Sequence, residues 1–153
     1  MSISYLNTYP NDEIKDNEIL LVITDGEMSL HPNFQRILSK YEKIHMIYNT
    51  IDKFRATKIP SYRISEDNKI GILSCKKRRY NQFKYSEIKD GLEKILYEVI
   101  SKLDNVKSVY LYSDAVVDDK LVMKEYEKSI KKAFRMANNL RSEEYDIFII
   151  TTR

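Results

Sequence analysis

Four aspartates follow apolar runs in this chain. Asp25 comes after residues 19–24, and Asp114, Asp118 and Asp119 come after residues 109–112. Carboxylates gathered at strand ends can hold Mg²⁺, so a metal-dependent nuclease is one chemistry this pattern could perform. It ranks last, because acids at strand ends are frequent without metal, and His31 and His45 have no ligand spacing to support them. A second grouping is the run Lys76-Lys77-Arg78-Arg79-Tyr80-Asn81-Gln82-Phe83-Lys84-Tyr85. Lys77, Arg78 and Arg79 can pair with phosphates while Tyr80 and Phe83 stack on bases, a combination used by single-strand binders, although four consecutive cations are also a common solvated loop. Ser113 lacks the flanking glycines of a nucleophile elbow. Cys75 ends an apolar strand and reads as a small buried residue. No Walker loop or dinucleotide fingerprint is present.

The elements that must position these residues alternate between strand and helix. Residues 19–23, Ile-Leu-Leu-Val-Ile, form a continuous apolar run without alternation, as expected of a strand covered on both faces. Ligands of such sheets sit outside the C-terminal strand ends, which makes Asp25-Gly26 the first place to look for a binding residue, although the pair also reads as a simple turn after a buried strand. Residues 2–6 read as an edge strand. Residues 32–43 read as one amphipathic helix opened by Pro32, and residues 44–48 are ambiguous between a helix tail and a strand. Residues 62–64 and 69–75 read as two strands joined by Ser65-Glu66-Asp67-Asn68, all good turn formers. Residues 86–105 form a helix with Ile88, Leu92, Ile95, Leu96, Val99, Ile100 and Leu103 on one face. Residues 109–112 are a strand. Residues 120–140 are a long helix with apolar Leu121, Tyr126, Ile130, Phe134 and Leu140, and residues 146–151 are a closing strand. Tyr85, Tyr97 and Tyr126 are expected to pack in the core and its rim. The alternation predicts an α/β sandwich with a mixed, mostly parallel sheet, whose strand-end loops after residues 23, 75 and 112 share one rim.

Composition narrows the classes. At 153 residues the chain suits a single domain with a full core. The net charge of +3 is too small to imply nucleic-acid binding without a concentrated patch. One cysteine excludes an intramolecular disulfide and a Cys-based zinc site, so no metal or cofactor is expected and a reducing, cytoplasmic setting is the default. The first residues lack the pattern of a signal peptide, and no apolar run approaches ~18 residues, so no membrane span is expected. Abundant Lys, Ile, Asn and Tyr, with no Trp, fit an AT-rich genome, viral ones included.

In this order the elements resemble a macro domain, the α/β/α module that binds ADP-ribose. Two segments carry the resemblance. Residues 66–78, ending Ile72-Leu73-Ser74-Cys75-Lys76-Lys77-Arg78, are similar to the strand followed by Thr-Lys-Lys-Arg in the terminal ADP-ribose protein glycohydrolase branch, where a Tyr and a long helix follow, as Tyr85 and its helix do here. Residues 119–123, Asp-Lys-Leu-Val-Met, are similar to that branch's Asp-Arg-Leu-x-Trp. The resemblance implies Lys76 as a nucleophile toward the ribose anomeric carbon and Asp119 as the acid that assists release. It also implies an acid near the first strand end contacting adenine, for which Asp25 is the nearest candidate; Gly26, Ser113 and Asp114, at strand ends of the same rim, complete the candidate ligand-binding residues for ADP-ribose or a related nucleotide.

The family's Met-Gly-x-Gly loop is matched here by Ser29-Leu30-His31-Pro32, and Pro32 removes an N–H that a phosphate would use. Its Gly-x-Gly loop is matched by Ala115-Val116-Val117-Asp118, which adds a repelling carboxylate. The expected function is therefore binding of ADP-ribose or a related nucleotide, with weak or absent ADP-ribosyl hydrolysis. The alternative is a degenerate macro fold serving as a viral or phage accessory module that binds nucleic acid or a host protein.

Overall fold

The computed structural model describes residues 2–30, 32–52, 58–76, 85–103, 105–112, 120–137 and 145–150. Strand β2 (Glu18–Asp25) is buried along all of its 8 residues. A strand with no exposed side must be flanked by strands and covered on both faces, and its neighbours follow from that. It pairs in parallel with β4 (Ile70–Lys76) on one side and β5 (Ser108–Tyr112) on the other. Strands β6 (Asp146–Ile150) and β1 (Ser2–Leu6) extend the sheet in parallel beyond β5. Strand β3 (Ser61–Ile64) closes the other edge as an antiparallel hairpin with β4, giving the order β1-β6-β5-β2-β4-β3.

The two faces of β2 carry two apolar clusters. Ile19, Leu21 and Ile23 pack with Leu92, Ile95, Leu96 and Val99 of α3 (Tyr85–Ser101), and with Tyr126, Ile130 and Phe134 of α4 (Lys120–Ala137). Leu20 and Val22 pack on the opposite side with Phe34, Ile37 and Leu38 of α1 (Pro32–Lys40), and with Ile44 and Tyr48 of α2 (Glu42–Tyr48). The result is a three-layer α/β sandwich, as expected. No helix of the described residues is long and apolar enough to cross a membrane.

Local differences from the sequence reading have physical reasons. The single helix expected over residues 32–43 is two, because Tyr41 takes extended backbone (φ −119°, ψ 108°) and starts α2. The break lets Ile44 and Tyr48 turn onto the sheet face that Phe34 and Ile37 already cover, which resolves residues 44–48 as helix. The 65–69 turn is closed by Ser65 Oγ, which accepts the N–H groups of Lys69 (3.1 Å) and Ile70 (3.0 Å), while Asn68 takes the left-handed conformation (φ 60°). Tyr126 is buried and Tyr85 half-buried, but Tyr97 is 39% exposed and packs in neither core nor rim. It stands on α3 between buried Leu96 and the next inward position, Val99, on the outward side of the helix.

At the N-terminal end of β2 the sheet buries a carboxylate. Glu18 is 6% exposed and accepts from Tyr9 Oη (2.9 Å), Tyr110 Oη (3.0 Å) and the Lys15 N–H (3.1 Å). The Tyr9 and Tyr110 rings meet edge to face at 4.8 Å, and Tyr110 stacks on Phe148 at 4.7 Å. Burial, with Glu18 alongside, pushes both hydroxyls upward in pKa, so they stay protonated as donors. This cluster ties the 7–17 segment to β2 and β5. Truncating Glu18 leaves the buried Tyr110 hydroxyl without its acceptor, while Tyr9 Oη keeps the Glu13 carbonyl at 3.0 Å. Glu18→Ala should therefore cost about 2–4 kcal/mol in urea denaturation, and Glu18→Gln, which keeps one acceptor oxygen, about half as much. Equal losses for the two variants would show that the carboxylate's acceptors do not matter.

Candidate site at the C-terminal rim

The five parallel strands end on one rim. The connections that leave it diverge: β2 runs into α1 on one face, while β4 and β5 run into α3 and α4 on the other. Between strands whose exits part in this way a crevice opens, which is where open α/β sheets hold ligands. Here the parting falls on both sides of β2. At its end the register shifts: Thr24 pairs with Ser74 but Asp25 pairs with Lys76, so Cys75 is the extra residue of a bulge in β4. The bulge sets Asp25 and Lys76 opposite each other as the last pair of the two strands.

Asp25 is 2% exposed. Its Oδ1 accepts the N–H of Glu27 at 2.8 Å and, at the long limit of 3.4 Å, that of Ser29. Thr24 Oγ1 donates to the Ser29 carbonyl, and Met28 turns the chain with a left-handed backbone (φ 59°). Arg63 Nη1 of β3 contacts Met28 Sδ at 2.7 Å, which ties the loop to the sheet edge. The carboxylate therefore organises its own loop, and two amides that an incoming anion could use already point at it. Gly26 is buried and its φ is not positive, so it is not held there by a need for left-handed backbone.

Beside this rim, Cys75 is 7% exposed, and burial pushes its thiol up to about 12. That matches the reading of a small buried residue. Tyr85 opens α3 and donates to Ser129 Oγ of α4 at 2.6 Å. Burial raises its hydroxyl to about 12, with the Ser129 bond partly opposing the shift. This Tyr85–Ser129 link between the two rim helices was not legible in the sequence; only the helical phase of Ser129, three residues from Tyr126, placed it inward.

Of the expected site residues, Asp25, Gly26 and the backbone of Lys76 come together at the end of β2. Ser113, Asp114 and Asp119 lie outside the described residues, as do Asp118 and the basic-aromatic residues Lys77, Arg78, Arg79, Tyr80 and Phe83. Among the described residues no three His, Cys, Asp or Glu side chains gather as metal ligands.

No family model and no curated protein matches the sequence. Thirteen solved chains match in structure. One of them, "Alphavirus P23pro-zbd", superposes with a TM-score of 0.50 at 12% identity, covering 100% of this chain and 22% of that one. The chain thus spans about a fifth of that protein's length, and at this identity the likeness is one of fold.

The rim chemistry predicts two outcomes. Asp25→Ala should lower stability by about 1–2 kcal/mol, whereas Asp25→Asn, which retains an acceptor for the Glu27 N–H, should stay within about 0.5 kcal/mol of wild type by urea denaturation. The second concerns alkaline pH. Unfolded, the thiol and the phenol ionise near 9.0 and 10.0, while folded they hold their protons to about 12. The stability these protons contribute is whole below about pH 9 and lost as pH rises from there through about 12. The urea midpoint should be lower at about pH 10.5 than at about pH 8, and an unchanged midpoint would contradict the buried assignment.

Proposed function

We propose that this chain is a macro-domain-like module that binds ADP-ribose or a related nucleotide in the crevice at the end of β2. One observation carries the reading: where the exits of β2 and β4 part, the bulge in β4 sets Asp25 and Lys76 opposite each other as the last strand pair. The resemblance of residues 66–78 and 119–123 to the ADP-ribose glycohydrolase branch supports the same place. In that reading Asp25, Gly26, Ser113 and Asp114 surround the nucleotide. The Lys76 amine attacks the ribose anomeric carbon as its ester C–O bond to the modified carboxylate breaks, Asp119 protonates that carboxylate, and water then displaces the lysine to release ADP-ribose, giving weak or absent ADP-ribosyl hydrolase activity.

A second reading, an accessory module for nucleic acid or a host protein, is favoured by a specific feature. The Glu27 and Ser29 amides donate to Asp25 rather than standing open for a diphosphate. Here the contacts fall to Lys77, Arg78, Arg79, Tyr80 and Phe83. Likeness to an alphavirus structure is compatible with a viral setting for such a module.

Calorimetric titration with ADP-ribose separates the two. The first reading expects saturable heat and a rise in melting temperature. Lys76→Ala should abolish release of ADP-ribose from a modified protein while leaving the titration measurable. Absence of heat and of any thermal shift at millimolar ADP-ribose would sink it and leave the second.

A further inference from the structure

Helix α4 turns Tyr126, Ile130, Ala133 and Phe134 into the core. On the helical wheel, Lys124, Lys128, Lys131 and Arg135 fall within a sector of roughly 60° pointing directly away from that apolar face. Lys124, Lys128 and Arg135 are exposed and Lys131 half-exposed. The spacing of four, three and four residues stacks them in one lane about 16 Å long.

The nearby acids are committed elsewhere or only weakly to the lane. Glu127 accepts from Tyr5 Oη of β1. Glu125 lies 3.9 Å from Lys89 and 3.7 Å from Lys128, whose side chain is still 75% exposed. The cation flanking the lane, Lys132, pairs with Glu93 of α3 at 3.1 Å. Lys124, Lys131 and Arg135 have no carboxylate partner among the described residues.

We infer that the outward face of α4 is a docking surface for the sugar-phosphate backbone of a nucleic-acid duplex, held without regard to sequence. Four cations in one line complement a regular row of phosphates, and such contacts position a protein without reading bases. No aromatic ring lies among these positions, so the stacking that single-strand binders rely on is missing, and a duplex is the better fit. Basic amphipathic helices that lie on membranes bury their apolar face in lipid, whereas that face of α4 is occupied by the protein core. The inference stands independently of the nucleotide reading, because none of these side chains belongs to the rim.

Fluorescence anisotropy of the full chain with a labelled 20-base-pair DNA duplex, an RNA duplex and a scrambled duplex tests it. The expected result is binding at about 50 mM salt, equal between sequences within about threefold, with log K falling against log salt at a slope of about −3 to −4. Replacing Lys124, Lys128, Lys131 and Arg135 together by Gln should weaken binding at least tenfold and flatten that slope. Lys124→Gln with Arg135→Gln alone should flatten it by about two, and Lys94→Gln on α3 should leave it unchanged. Melting followed by circular dichroism checks that the variants are folded, and the ADP-ribose titration should not change in any of them. No duplex binding at about 50 mM salt, binding indifferent to the fourfold change, or association with phosphatidylglycerol vesicles in place of duplexes would each overturn the inference.

Discussion

Everything in this molecule depends on β2 being surrounded. Its 8 residues have no solvent face, so its backbone must be paired on both edges and its side chains covered on both sides. Parallel partners cannot be reached by a tight turn; each needs a crossover, and the crossovers supply the covering helices. Helices α3 and α4 cover Leu21 and Ile23, while α1 and α2 cover Leu20 and Val22. Once the exits divide between the faces, a crevice at the strand ends is a geometric consequence rather than a separate invention. The candidate site is thus inherited from the way the core is built.

The two ends of β2 use carboxylates in opposite ways. Glu18, at the start, joins the Tyr110 hydroxyl, 92 residues away on β5, to the Tyr9 hydroxyl and the Lys15 N–H of the preceding segment, and so anchors the 7–17 segment across the sheet. Asp25, at the finish, takes its partners from the next four residues and shapes only its own loop. A buried carboxylate is tolerated where donors replace lost water, and both positions meet that condition. The difference is reach: the first knits the fold, and the second keeps the rim local, where a loop can be exchanged without disturbing the layers.

How much of this the sequence reveals follows from the range of each interaction. The apolar run of β2, the helical faces of α3 and α4 and the Ser65–Asn68 turn are local patterns, and each was legible. The edge position of β1 was legible from its short alternating run. Glu18 was not, because its acceptors are satisfied by Tyr9 and Tyr110, 9 and 92 residues away, and nothing in periodicity marks such a meeting. Nor was the break at Tyr41, since residues 34, 37, 38, 41, 44 and 48 keep helical spacing through it, and only packing on a flat sheet face requires the bend. At the rim, strand-end logic located Asp25 and Gly26 correctly in space. It left open whether Asp25 would bind a ligand or close a turn, because an Asx-type turn and a ligand contact begin from the same Asp-Gly pair; the structure spends the carboxylate on the Glu27 and Ser29 amides.

The crevice and the basic lane are not arranged at random with respect to each other. Helix α4 begins at the rim, just after the segment that follows β5, and runs back along the sheet to Ala137. Its lane therefore starts within about a turn and a half of the rim, at Lys124, and leads away from it. Lys132 pairs with Glu93 of α3 beside the lane, so this contact uses none of the lane's outward cations. A polyanion lying on α4 and a nucleotide seated at the end of β2 would engage separate sets of side chains, since none of the four lane cations belongs to the rim. The separate substitutions on β4 and α4 are what distinguish two sites from one extended surface.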